Sequence, residues 1–208
     1  MPCCACHFNC QRDVVLDKDN LKSMNMIAWV HGCLSEDTEI LTENGWKMWS
    51  SVFEGDYIFA CDYKDDLRLE LQKVFKKYIY DYDDDAYHIK DTGYYSDETH
   101  LKETDHILSK NHNILVSDEW AVGFGGVDKI SVDLLFEKVQ QRKEEQIDSD
   151  FYIPTLNGDV PCTIEKIKYK GKMWCVEVPT GAFVARRNGK IFITGNSGFP
   201  NFNKNPSK

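Results

Sequence analysis

Thr38-Glu39-Ile40-Leu41-Thr42-Glu43-Asn44-Gly45-Trp46-Lys47-Met48-Trp49 places two short apolar segments on either side of Asn-Gly. A tight hairpin turn needs positive φ at its centre, which asparagine and glycine adopt most readily, so two antiparallel strands joined at Asn44-Gly45 are expected. The pattern returns near the other end, where Ala182-Phe183-Val184-Ala185 and Lys190-Ile191-Phe192-Ile193 flank Asn188-Gly189. Outward from these hairpins, further strands are expected over 57–61, 74–82, 86–89, 106–109, 113–116, 119–123, 151–154 and 162–178, the last broken at Lys170-Gly171. Asp81-Tyr82-Asp83-Asp84-Asp85 lacks the glycine and distal glutamate of a calcium loop and reads as an exposed turn. Helical spacing occurs once, over 131–147, where Val132, Leu135, Phe136 and Val139 follow a capping Ser131. Many short strands, frequent turns and one short helix make a mostly β domain, sandwich- or barrel-like.

The 208 residues are 42% hydrophobic and 28% charged, which is globular rather than disordered composition. No apolar run approaches the roughly 20 residues a membrane span needs. The net charge of -9, from 25 basic and 34 acidic side chains, argues against nucleic acid as a partner. Eight cysteines behind a start, Met1-Pro2-Cys3-Cys4, without the layout of a signal peptide point to reduced thiols in a cytoplasmic setting. Cys3, Cys4, Cys6 and Cys10 crowd the beginning, whereas Cys33, Cys61, Cys162 and Cys175 are scattered, so the chain reads as a composite. Charge is uneven too. Residues 33–66 sum to -7 and residues 161–196 to +5, which fits either two solvated surfaces or two segments that pair as neighbouring strands.

Three short stretches hold the chemistry. Cys33 follows Gly32, whose carbonyl is sterically open to attack by the thiol. Leu108-Ser109-Lys110-Asn111-His112-Asn113-Ile114-Leu115-Val116 sets a hydroxyl, an amide and an imidazole between apolar runs, with His106 as the competing histidine. Thr194-Gly195-Asn196-Ser197 ends a strand with an asparagine whose side chain can attack its own carbonyl, leaving a succinimide and cutting the chain before the Ser197 hydroxyl. Singly, each also has a plain structural reading: a small buried thiol, a bystander histidine, an ordinary turn.

Together they form a resemblance. Cys33-Leu34-Ser35-Glu36-Asp37-Thr38-Glu39-Ile40-Leu41 with Gly45-Trp46 resembles the opening motif of inteins. Ser109-Lys110-Asn111-His112, with Leu115-Val116 and Trp120 following, is similar to the family's Thr-x-x-His motif. Gly171 to Val178 through Phe183, then Gly189 to Asn196-Ser197, resembles its two closing motifs. Besides Ser109 in place of Thr, three positions depart from the pattern. Cys175 stands where Asp is usual, Gly181 where a His follows the Thr, and Gly195 where a His precedes the terminal Asn. The resemblance therefore names no residue to assist the last step.

The resemblance implies the horseshoe-like β fold shared by hedgehog processing domains and inteins (the Hint fold). It divides the chain into an N-extein segment 1–32, an intein 33–196 without a homing endonuclease, and a C-extein segment 197–208. It implies single-turnover splicing, in which Cys33 attacks the Gly32 carbonyl to give a thioester. Ser109, Asn111 and His112 would hold and protonate that peptide group. Ser197 would take over the acyl chain as a branched ester, Asn196 would cyclise to release it, and Cys175 would couple the steps. No metal or cofactor is implied. The implied partners are the flanking exteins and, were the domain divided near 62–66, a complementary fragment attracted by opposite charge. Three other readings stand beside it: a hedgehog-type domain that cleaves without ligating, a cysteine protease acting on other substrates, and a metal-binding host module built on Cys3, Cys4, Cys6, His7 and Cys10.

Overall fold

The computed structural model describes residues 32–64, 67–93, 103–117, 127–148 and 150–195. Thirteen strands and one α-helix order along this chain as β1 (Leu34–Ser35), β2 (Glu39–Thr42), β3 (Gly45–Met48), β4 (Tyr57–Asp62), β5 (Arg68–Lys73), β6 (Lys76–Asp91) and β7 (Asp105–Ser109), followed by β8 (Asn113–Ser117), β9 (Val127–Ser131), α1 (Val132–Glu144), β10 (Phe151–Thr155), β11 (Gly158–Glu177), β12 (Ala182–Arg187) and β13 (Lys190–Gly195). They form a five-stranded sheet, β1-β7-β6-β11-β10, in which β1 also pairs β11. An eight-stranded sheet runs β3-β2-β4-β12-β13-β8-β9 with β5 beside β4. The mostly β architecture with one helix is as the sequence suggests. The strand expected over 119–123 lies outside the described residues.

The two Asn-Gly hairpins form by different turns. Asn188 and Gly189 sit at φ 51° and 79° between paired Arg187 and Lys190, the primed two-residue loop expected. In the first hairpin Thr42 pairs Gly45, so the loop is Glu43-Asn44 and only Gly45, at φ 91°, is left-handed. The Thr42 hydroxyl donates to the Gly45 carbonyl at 2.7 Å and accepts from the Asn44 N–H at 3.1 Å. Thr155-Leu156-Asn157-Gly158 repeats this arrangement, with the same two bonds at 2.7 and 3.1 Å. Threonine thus selects the turn, by closing it with its own hydroxyl.

Two expectations are corrected by the long strands. Asp81 to Asp85 is not a turn, and Lys170-Gly171 is not a break. Both lie inside a continuous β6–β11 ladder of sixteen consecutive pairs, from Glu177↔Lys76 to Cys162↔Asp91. The reason is charge complementarity across the ladder: Lys172 meets Asp81 at 2.7 Å, Lys170 meets Asp83 at 2.8 Å, and Lys166 and Lys168 meet Asp85 at 3.0 and 2.5 Å. Each exposed pair is worth only about 0–1 kcal/mol, but alternation of acids on one strand with lysines on the other fixes their register. Gly171 is held in the strand by its pairing with Tyr82, and a Cβ there would crowd the Glu36 and Tyr169 side chains.

The oppositely charged segments do become neighbours. β12 pairs β2 at Ala185↔Ile40 and Arg186↔Glu39, and β4 at Phe183↔Ala60. Arg186 reaches Glu39 at 2.5 Å, while Arg187 reaches Asp37 at 2.8 Å and Asp105 at 2.6 Å. Between the sheets, Trp174, Phe151, Phe183, Phe192, Leu34 and Leu108 are fully buried. Helix α1 buries Val132, Leu135 and Val139, as its spacing suggests, although the Ser131 side chain makes no capping bond. Among the described residues no helix is long and apolar enough to cross a membrane.

Candidate active site

β1 is only two residues long, yet it is held on both edges, by Leu108 of β7 and by Trp174 and Met173 of β11. That clamp draws Cys33 into the core, where it is 1% exposed. The Cys33 N–H donates to Ser109 Oγ at 2.7 Å, and the Ser109 N–H donates back to the Cys33 carbonyl at 2.9 Å. The first bond is the informative one, because this nitrogen belongs to the Gly32–Cys33 peptide bond.

From Ser109 the chain turns through Asn111 at φ 61°, a left-handed position that asparagine tolerates better than most residues. The turn returns His112, whose N–H donates to the Ser109 carbonyl at 3.3 Å and whose carbonyl accepts from Val132 at 2.8 Å. Gly32 lies directly against this backbone. A Cβ on Gly32 would fall 2.0 Å from His112 Cα, so no other residue fits without displacing the turn. Ser109, Asn111, His112, Gly32 and Cys33 are thus brought together.

The His112 ring is fully buried, with Nε2 and the Thr194 hydroxyl 2.7 Å apart. Its Nδ1 has no hydrogen-bond partner among the described residues. Burial pulls its pKa down to about 4; the Gly32 backbone opposes that shift and the positive charge of Lys129 adds to it. The imidazole is therefore neutral at pH 7. Burial, then the neighbouring Cys175, pushes the Cys33 thiol well above its ordinary value, so it too is uncharged. Cys175 is buried on β11, opposite Tyr78.

Three site residues are missed by sequence reading. Thr194 is one, since nothing in the sequence ties it to a histidine 82 positions away. Tyr80 is another. Its hydroxyl is buried without a partner among the described residues, and burial, then Cys33, drives its pKa upward. The third is Lys129, whose Nζ donates to the Gly181 carbonyl at 3.1 Å. The sequence offered only an isolated lysine in a stretch without a motif. Asn196 and Ser197 lie outside the described residues, as does the Cys3, Cys4, Cys6, His7, Cys10 group. Gly195, just before Asn196, is fixed opposite Ala182 at the end of β13.

His106, the competing histidine, has a structural place. It stacks on Phe192 with ring centroids 3.7 Å apart and bonds the Thr104 hydroxyl at 2.5 Å. Burial depresses its pKa to about 3. Both buried imidazoles are thus neutral when folded, whereas in the unfolded chain they protonate near the ordinary value of about 6.5. The unfolded state therefore takes up protons first as pH falls. Stability is complete above pH about 6.5 and is lost downward, to about 4 for His112 and about 3 for His106. Within that window each imidazole should contribute a slope of about 1.4 kcal/mol per pH unit. Denaturant titrations at several pH values should show it, and His106→Gln should remove one imidazole's share. An unchanged slope would mean that His106 is not buried as a neutral ring.

No protein-family model matches the sequence, and no curated protein matches it. Solved structures do match in shape. The AceL NrdHF class 3 split intein, in a splice-inactive variant, superposes with a TM-score of 0.58 at 17% identity, covering 80% of this chain and 99% of the other. A KlbA intein precursor from Methanococcus jannaschii gives 0.53 at 15% identity over 79% and 90% of the two chains. A DnaB intein from a Synechocystis species gives 0.51 at 15% identity over 79% and 98%. The chain has the intein fold. An intein-like domain from Clostridium thermocellum shares that fold with it, at TM-score 0.50 and 13% identity over 80% and 98% of the two chains. The intein fold alone therefore does not choose among the chemistries it can host.

Proposed function

We propose that residues 33–196 are a self-splicing element that excises itself and joins Gly32 to Ser197. The observation that supports this most directly is the grip on one peptide bond: Ser109 Oγ holds the amide nitrogen of Gly32–Cys33 at 2.7 Å, and the Gly32 backbone is pressed against His112. A side-chain hydroxyl and an imidazole converging on a backbone amide have no evident packing purpose, but both suit an acyl shift.

In the first step Cys33 Sγ bonds to the Gly32 carbonyl carbon and the C–N bond to Cys33 breaks. The thiol proton must reach the departing nitrogen. A neutral His112 cannot start as the acid, so it accepts the proton from sulfur and delivers it to the amine, leaving the ring neutral again. Ser109, already bonded to that nitrogen, keeps it oriented, and Asn111 supplies the turn that brings Ser109 and His112 to the same bond. Ser197 Oγ then displaces the Cys33 thiolate from the acyl carbon, and the Ser197 proton returns to sulfur. Asn196 Nδ2 closes on the Asn196 carbonyl carbon, breaking the bond to Ser197 and forming the succinimide. The freed Ser197 amine attacks its own ester and yields a peptide bond. Every atom and proton comes from the chain, so the steps balance without a cofactor. Cys175, near enough to Cys33 to raise its pKa, would influence the thioester stage.

Intact mass after expression tests this. Splicing yields an excised species of 164 residues and a ligated species of 44 residues. An unprocessed chain, or fragments ending at Gly32 with no ligated product, would overturn splicing; the second result would instead favour the hedgehog-type reading.

A further inference from the structure

Two glycines near the end of the domain have the same neighbour. The Gly181 carbonyl accepts a hydrogen bond from Lys129 Nζ at 3.1 Å. A Cβ on Gly195 would lie 2.9 Å from Lys129 Cε and 2.6 Å from the Asn113 carbonyl oxygen. The lysine stem therefore occupies the space that a side chain at Gly195 would need, while its amine binds the Gly181 carbonyl. Its amine is held beside the residue that immediately precedes Asn196. Lys129 is delivered there by β9, which pairs β8 with Leu115 opposite Lys129, and β8 in turn pairs β13 at Ile114↔Thr194. Three adjacent strands thus hold the lysine against Gly195, the last residue of β13.

We propose that Lys129 is the proton donor for Asn196 cyclisation. This rests on the splicing reading above. As the Asn196 side-chain nitrogen bonds to the Asn196 carbonyl carbon, charge builds on that carbonyl oxygen and the Ser197 nitrogen must leave as a neutral amine. The Lys129 ammonium stabilises the oxygen and gives a proton to the leaving nitrogen. It then takes back the proton shed by the succinimide nitrogen, so the lysine ends as it began. Peptide nitrogen is a poor leaving group without such a proton, and a half-buried ammonium acts more strongly than one in water. Its proton is also easier to give than that of an ordinary lysine, because burial, with Lys64 adding to it and Cys175 opposing, lowers the Lys129 pKa.

The two cleavages can be read separately on the full chain, which separates this role from mere packing. In a Cys33→Ala background only Asn196 cleavage remains, and in an Asn196→Ala background only thiol-induced cleavage at Gly32 remains. Lys129→Met keeps the length of the stem and removes the amine. It should slow Asn196 cleavage at least tenfold while leaving thiol-induced cleavage at Gly32 within about twofold. Lys129→Gln, a shorter neutral polar chain, should show the same split. Unchanged Asn196 cleavage in both variants would overturn the role, and so would parallel loss of both cleavages, which marks a structural residue. If the parent chains cleave at neither junction, it is the splicing reading that falls.

Discussion

Cys33→Ala should abolish thioester formation, ligation and N-terminal cleavage together, leaving only slow release at Asn196. The effect should be complete because no other nucleophile shares this position. Cys33 is the residue whose own amide nitrogen is held at 2.7 Å by Ser109, so its sulfur lies one residue frame from the carbonyl it attacks. Cys175 is buried nearby but belongs to β11, and its own peptide bond is an ordinary ladder member opposite Tyr78. Loss of one buried sulfur should cost roughly 1 kcal/mol of stability, too little to unfold the domain. Hydroxylamine or added thiol, followed by mass measurement, reads the outcome. The Asn196→Ala chain should be cleaved by either reagent at Gly32, and the Cys33→Ala chain by neither. Ligated product from Cys33→Ala would assign the nucleophile elsewhere.

How much of this was legible beforehand varies with the range of the interactions. The turn at Asn188-Gly189 is local, set by backbone freedom at two positions, and the sequence reading placed it correctly. The grouping of Ser109, Asn111 and His112 is also local, since one left-handed residue brings the ends of a four-residue stretch together. The acidic run at 81–85 was misread because its compensation is distant. Its lysine partners lie roughly 80 to 90 positions away, so composition alone shows repulsion and suggests a solvated turn. The short strands β1 and β9 gave no signal of their own, as a two-residue strand has no periodicity and β9 alternates weakly. Both matter, because β1 sets Cys33 in the core and β9 delivers Lys129. Gly181 and Gly195 could be read only as positions without a side chain until the strand order placed one lysine against both.

Replacing His112 should be the second largest lesion, and its pattern is informative. His112→Gln keeps a hydrogen-bonding side chain of similar reach but cannot relay a proton. N-terminal cleavage should fall by about 10²- to 10⁴-fold, the usual range for losing a positioned acid–base group. Asn196 cyclisation should fall less, though not by nothing. The His112 ring bonds the Thr194 hydroxyl at 2.7 Å, and Thr194 lies on β13, two positions before Asn196 in the sequence. One imidazole therefore touches the peptide bond that opens first and also steadies the strand leading to the bond that opens last. Thr194→Val, which removes the hydroxyl and keeps the shape, provides the control. It should reproduce the modest effect on Asn196 cleavage while sparing most of the first step. The measurement is again a pair of single-cleavage rates, in the Asn196→Ala and Cys33→Ala backgrounds. Equal losses at both junctions in His112→Gln would indicate that the ring holds the fold together rather than moving a proton. A loss confined to Asn196 would place the relay at the wrong end of the reaction.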